Sequence, residues 1–208
     1  MELRKPSAEL RKAREVYAEQ RRTRYPPDPV SSLDLSWTDL SGMDLDLNLT
    51  GCNLSHARCS GTTFGIFMVR CQAQGADFTE AFLKKAQIGD SVFDDAVLHR
   101  ATLLKASVVD STFRRADFAG ANLNQAVFRR CDLRGARFTC TQLPQVGFDR
   151  SLLAGADFTG CTGWVDPDRV NVGTPEEPSW IEGEELRDWF RAAGASDVRV
   201  GYAARASG

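Results

Sequence analysis

In the stretch "ADFAGANLNQAVFRRCDLRGARF" (residues 116–138) a Phe or Leu stands at 118, 123, 128, 133 and 138, one at every fifth residue. A helix repeats its apolar face every 3.6 residues and a strand every 2. A period of five fits neither. The fives continue well beyond this stretch, with a large apolar centre at every position from Phe78 to Phe158, and a small residue, mostly Ala, two places before each centre. A longer period lies inside the short one. Every fourth small position is Ser or Cys: Cys71, Ser91, Ser111, Cys131 and Ser151 are spaced by 20, and Cys52 precedes Cys71 by 19. Two single-residue losses, around 43–47 and 66–75, bring the early centres Leu35, Leu40, Leu45, Leu49, Leu54, Cys59 and Phe64 into the same frame.

A chain that turns by a right angle every five residues closes a square in twenty, and the next square stacks on it at the strand spacing of about 4.8 Å. One square cannot bury its own apolar residues, but a stack can. Centres then lie over centres. Phe78, Leu98, Phe118, Phe138 and Phe158 form one internal column, and Leu123, Phe128 and Leu133 belong to the other three. Residues 31–163 carry this pattern. Residues 1–30 hold a basic helix over about 7–24, with a thin apolar stripe (Leu10, Ala13, Tyr17), stopped by Pro26 and Pro27. Residues 164–208 read as a loop, then a capping box at Ser179 and Glu182 opening a helix that runs to about 193. That helix has Leu186, Trp189 and Phe190 on one face and Gly194 at its end. A short strand, with Val198, Val200 and Tyr202 alternating, follows it.

The units "ADFTE", "ADFAG", "ANLNQ", "CDLRG" and "ADFTG" resemble the pentapeptide repeat family, small–(Asp/Asn)–(Leu/Phe)–x–x. The resemblance implies an all-β solenoid, a right-handed quadrilateral β-helix. Two further stretches resemble the quinolone-resistance (Qnr/MfpA-type) subgroup: "CQAQGADF" (71–78) and the ending "LRDWFRAAGASDVRV". That likeness implies a protein that binds DNA gyrase or topoisomerase IV, protects it from poisons by partial DNA mimicry, and dimerises through its C-terminal module. Trp180, Leu186, Trp189 and Phe190 would form that cap or dimer contact.

The remaining residues argue against catalysis. There is no phosphate loop, dinucleotide loop, zinc-protease or nucleophile-elbow motif. His56 and His99 fall on different outward columns, without a ligand or triad partner at the right spacing. The six cysteines include no CxxC pair, so no metal or other cofactor is expected. Cys140 alone points outward. The Asp residues before the centres are expected to bond backbone at the corners. A formal charge of −2 gives no general pull toward nucleic acid or an anionic membrane. No apolar run is long enough to span a bilayer, and the start carries no secretory leader, so the expected location is the cytoplasm.

On the outside, residues twenty apart form opposite-charge rungs: Glu80 with Arg100, Asp94 and Asp95 with Arg114 and Arg115, Asp110 with Arg130. Asp34, Asp39, Asp44 and Asp46 make an acidic edge at the first turns. Residues 31–163 hold 14 acidic and 13 basic side chains, a net charge of −1. Lys84, Lys85 and Lys105 gather beside outward Phe82 and Leu104, a candidate partner contact. Two functions are compatible with this surface: protection of a type II topoisomerase, or a scaffold for another protein partner.

Overall fold

The computed structural model describes residues 2–23 and 27–201. The fives build a right-handed, four-sided β-solenoid of about seven turns. In the turn 111–130 the first side is 111–115, the second 116–120, the third 121–125 and the fourth 126–130. Each side ends on a residue in the left-handed region, at φ of 56° (Arg115), 67° (Gly120), 57° (Gln125) and 52° (Arg130). This residue makes the corner. A left-handed conformation disfavours a side chain by about 1–2 kcal/mol, yet Glu80, Lys85, Asp90, Asp95, Arg100, Lys105 and Asp110 all adopt it. The burial inside the square offsets that cost. Every centre from Phe78 to Phe158 is essentially fully buried, at about 1.5–3 kcal/mol for each large side chain.

The columns stack as their spacing predicts. Phe118 and Phe138 lie 4.8 Å apart at 1°, Phe138 and Phe158 4.7 Å apart at 4°, and Phe93 and Phe113 4.8 Å apart at 8°. Between columns the rings meet edge to face, as Phe118 does with Phe128 at 5.8 Å and 82°.

The fourth side is the most regular. β1 (Val30–Ser31), β2 (Leu49–Thr50), β3 (Phe67–Val69), β4 (Gln87–Gly89), β5 (Ser107–Val109) and β6 (Val127–Arg129) form one parallel sheet in chain order. Its register steps by 19, 19, 20, 20 and 20: Val30 with Leu49, Leu49 with Met68, then Met68 with Ile88, Ile88 with Val108 and Val108 with Phe128. Both lost residues therefore fall at the same corner of two successive turns, between Leu45 and Leu49 and between Phe64 and Met68. The second is confined to the front of the stretch expected from sequence. The corner is tight: a Cβ on Gly65 would stand 2.6 Å from the carbonyl group of Leu47.

The 20-residue period has a hydrogen-bonding cause. At three corners the next small residue donates its N–H back three residues: Ala116 to Phe113 (3.1 Å), Ala121 to Phe118 (2.9 Å) and Ala126 to Leu123 (2.8 Å). After the extended fourth side of the turns up to residue 130 that bond is not made, and only in the next turn, where the fourth side is no longer a strand, does Ser151 donate to Phe148 O (3.0 Å). In the earlier turns the amide is met by a side chain one turn on. Cys71 N–H donates to Ser91 Oγ (3.0 Å), Ser91 to Ser111 Oγ (3.1 Å) and Cys131 to Ser151 Oγ (3.0 Å). The amides of Cys52 and Ser111 meet the sulfurs of Cys71 and Cys131 in the same way. Small packing alone would be served by Ala; a buried acceptor needs Ser or Cys.

Both ends of the stack are covered. α1 (Ala8–Thr23) docks on the first turn with Leu10 and Tyr17 buried, and the Tyr17 hydroxyl accepts the Asn48 N–H at 3.2 Å. At the other end β7 (Gln142–Val146) and β8 (Thr162–Val165) continue the third side. β9 (Val170–Asn171) then turns back on β10 (Trp180–Ile181) as an antiparallel pair, before α2 (Gly183–Ala192) and β11 (Asp197–Val200), which pairs in parallel with β8. The second helix begins later than its sequence suggests. Trp180 and Ile181 are paired with β9, the Ser179 N–H is held by Asn171 Oδ1 (2.9 Å), and Glu182 is the N-cap residue. Ser179 and Glu182 make no capping box. Gly194 closes the helix at φ 81°, and the Ala195 N–H returns to Phe190 O (2.9 Å). The strand expected to reach Tyr202 ends at Val200; Tyr202 and Pro26 lie outside the described residues.

Candidate partner-binding sides

Four outward surfaces run along the solenoid, and their side chains fall into two kinds. On the first, second and fourth sides most charge is paired, although Arg70, Asp90 and Arg150 join no ion pair among the described residues. Arg100 bonds Glu80 (2.6 Å), Arg115 bonds Asp95 (2.7 Å) and Arg130 bonds Asp110 (2.6 Å), each one turn apart. Hydrogen bonds from Arg115 and Arg130 hold Asp95 and Asp110 below the usual carboxylate pKa. The fourth expected rung differs. Asp94 accepts the backbone N–H of Arg114 (2.9 Å), while the Arg114 guanidinium reaches Asp132 (2.6 Å), which Arg134 also grips (2.7 Å). Burial pushes the Asp132 pKa up, but hydrogen bonds from Arg134 and Arg114 outweigh it and the carboxyl titrates below its ordinary range.

The carboxylates expected at the corners are there. Asp77, Asp117 and Asp157 accept the N–H two residues on, from Thr79, Ala119 and Thr159, at 2.9–3.0 Å. His99 is not without an acidic neighbour, as its sequence position suggested: its Nε2 lies 2.8 Å from Asp117 Oδ2, which Arg137 also approaches at 3.3 Å. His56 stacks on Trp37 at 4.4 Å. Neither histidine faces a nucleophile. Burial raises the thiol pKa of Cys71 and Cys161 to about 11 and of Cys131 to about 12, and the Cys59 thiol is pushed up as well. All six cysteines are free, and Cys140 is the exposed one.

Two carboxylates of the acidic edge, Asp34 and Asp46, are taken up by the protein's own N-terminal segment, and Asp39 by Arg58 of the next turn. Arg4 pairs with Asp34 (3.2 Å), Arg21 pairs with Asp46, Arg58 pairs with Asp39 (3.6 Å), and Arg14 donates to the Asp44 carbonyl (2.9 Å). The basic helix is thus bound in place on the first turn.

The third side is of the other kind. Phe82, Lys84 and Lys85 are exposed there, with Lys105 exposed and Leu104 half-buried one turn above. The structure brings all five onto one side and its corner. Higher up, a shallow cleft of about 480 Å³ opens between Asn122, Asn124, Gln142 and Pro144.

At the C-terminal end the four residues singled out by sequence divide. Leu186 and Phe190 are fully buried, and Phe190 meets Phe158 edge to face at 4.9 Å. Trp189 is half-buried, 5.8 Å from the same ring. Trp180 stays 39% exposed, with Arg169 over its ring at 5.3 Å.

A family model described as pentapeptide repeats matches residues 31–64 and 111–149, in eight copies. No curated protein matches this chain in sequence. Among solved structures, a trypsin-treated form of QnrB1, a plasmid-mediated fluoroquinolone resistance protein, is 21% identical, with 65% of this chain and 80% of that one covered and a TM-score of 0.32. HetL, a pentapeptide repeat protein involved in heterocyst differentiation regulation in the cyanobacterium Nostoc sp. strain PCC 7120, is 17% identical over 68% of this chain and 81% of its own, at a TM-score of 0.30. A pentapeptide repeat protein of the Arabidopsis thaliana thylakoid lumen is 20% identical over 66% and 79%, at 0.27.

Proposed function

We propose that this chain, a pentapeptide repeat protein, works without catalysis, as a rod that binds another protein along one of its sides. The observation that carries this reading is the division of its surface. Three sides spend most of their charges on pairs, many of which hold one turn to the next, and the third side pairs none of its lysines among the described residues. Most carboxylates of the coil are committed to corner amides and arginines, and the buried thiols are held protonated, so most of the groups a catalyst would use have structural work. No helix among the described residues is long and apolar enough to cross a membrane; the cytoplasm is the proposed setting.

The second reading is protection of DNA gyrase or topoisomerase IV, with an end-to-end homodimer through the C-terminal module. The sequence of α2, Gly194 and β11 favours it, as does the exposed Trp180 beside that module. Mimicry of duplex DNA by a continuous acidic stripe finds little support in a surface of alternating pairs. The two readings separate in one assay. The purified chain is titrated into gyrase supercoiling, with and without a gyrase poison. Restored supercoiling at low-micromolar protein establishes the topoisomerase reading; no rescue and no inhibition, across several bacterial gyrases, leaves the rod with a different protein partner.

A further inference from the structure

The third side departs from the rule that the other sides obey. Residues 31–163 hold ten arginines and three lysines. Eight of those arginines pair with carboxylates: Arg58, Arg100, Arg114, Arg115, Arg129, Arg130, Arg134 and Arg137. No ion pair joins Lys84, Lys85 or Lys105 among the described residues. All three lysines sit on the third side, and from residue 61 to residue 165 that side has neither arginine nor acid; Asp44 stands on it in the first turn, and Asp197 and Arg199 of β11 close its far end. Its segments over six successive turns are "GTTFGI" (61–66), "AFLKKA" (81–86), "ATLLKA" (101–106), "ANLNQA" (121–126), "TQLPQV" (141–146) and "CTGWV" (161–165), without one Asp or Glu among a total of 28 in the chain. Lys85 and Lys105 stand at the same corner one turn apart with no carboxylate facing either, whereas at the other corners Glu80 faces Arg100, Asp95 faces Arg115 and Asp110 faces Arg130. Like charges at the turn spacing of about 4.8 Å repel. The same face exposes apolar surface at Phe82 (51%), and at its far end Trp164 (37%) lies under the Arg199 guanidinium, 5.2 Å from the ring centroid.

We propose that the third side is the docking surface of the rod, and that its occupant is an acidic segment of a partner protein lying along it. Carboxylates of that segment lie against Lys84, Lys85 and Lys105, and its apolar side chains against Phe82 and Leu104. This rests on the reading of the chain as a partner-binding rod, and it names the chemistry of the partner. The charge count selects protein over nucleic acid. From Phe82 to Trp164 is four turn spacings, about 19 Å, over which a duplex carries about 11 phosphates; three lysines, with Arg199 at the far end, do not answer that density. An acidic peptide with interspersed apolar residues fits both the free cations and the exposed rings.

The test uses the full chain and a short fluorescent peptide alternating Glu with Leu and Phe, with the same peptide carrying Lys for Glu and a short DNA duplex as competitors. The acidic peptide binds, added salt weakens it, and the basic one does not bind. The combined Lys84→Gln, Lys85→Gln and Lys105→Gln variant, with unchanged thermal unfolding, weakens binding about tenfold or more. Lys105→Glu sets a carboxylate above Lys85; it weakens the peptide in the same way while raising the Tm by about 1–2 °C. Equal binding of the acidic peptide by the triple variant, no preference for the acidic over the basic peptide, or tighter lysine-dependent binding of the duplex each overturns the inference. A partner that is bound tightly but cross-links only to the other three sides overturns it too, while leaving the rod reading intact.

Discussion

Ser111 shows how much one hydroxyl does in this fold. Its Oγ accepts the Ser91 N–H and donates to Val109 O at 2.9 Å, inside a core of hydrocarbon. Ser111→Ala leaves a buried amide unpaired, and urea unfolding is expected to show a loss of about 1–3 kcal/mol; Ser111→Cys, the exchange the chain itself makes at 131, is expected to lose less. The 20-residue spacing of these residues is plain in the sequence, but their role is not. Read as small packing, they leave unexplained why Ala never takes the position from Cys52 to Ser151. The reason lies in which corner lacks its turn bond, and only the backbone shows that. Asp132 gives a pH prediction at the same scale. Its folded pKa is lowered, so it stabilises the fold above the ordinary carboxylate range, and that contribution is lost as the pH falls through the folded value. Asp132→Asn is therefore expected to lower the Tm at pH 7 and to change it little at a pH below the folded value. For the thiols, a disulfide reagent is expected to titrate Cys140 alone in the native protein and all six after unfolding. Rapid native reaction of two or more would contradict the burial of the others.

The two helices are caps before they are anything else. A solenoid exposes an unpaired edge at each end. α2 covers one end with Phe190 on Phe158, and β11 adds a last strand to the third side. Phe190→Ala is expected to cost about 3–5 kcal/mol, comparable to Phe118→Ala or Phe128→Ala within the coil. A loss below about 1 kcal/mol would mean that the helix does not close the core. The apolar face of α2 was legible from its spacing, and its end from Gly194. Its start was not, because a capping-box pattern at Ser179 looks the same whether or not residues 180–181 are drawn into a strand by distant Val170 and Asn171. The docking of α1 was not legible either. Leu10 and Tyr17 are too few to announce a buried face, and the partners that fix the helix, Asn48, Asp44 and Asp46, are thirty or so residues away in sequence. Tyr17→Phe removes the acceptor of the Asn48 N–H and is expected to lower stability by about 1–3 kcal/mol.

On the scale of the whole molecule, function depends on what the stacking leaves over. Columns of residues twenty apart could be drawn from the sequence, and three of the charged rungs drawn that way are present. The lysine cluster could be drawn too. Its continuation into an acid-free side from residue 61 to 165 was missed, because it is a pattern of absences and appears only when all six turns are aligned with their two short corners in the right place. The quaternary proposal also changes at this scale. Phe190 and Leu186 are buried within their own chain, so a charge there would open the cap; Trp180 is the exposed ring of the module. If the chain dimerises end to end, light scattering is expected to give a dimer mass for the native protein and a folded monomer for Trp180→Asp; a native monomer would end the dimer proposal.

The most direct test of the account is to ask which side the partner touches. A photocross-linking residue is placed in turn at Gln74 on the first side, Ala119 on the second, Asn122 on the third and Gln87 on the fourth, in the full chain, in the cell that makes it. The account predicts one dominant cross-linked product, formed from position 122 and lost when Lys84, Lys85 and Lys105 are replaced by Gln. The same product formed equally well from 74, 119 or 87, or formed from 122 regardless of the lysines, would contradict it.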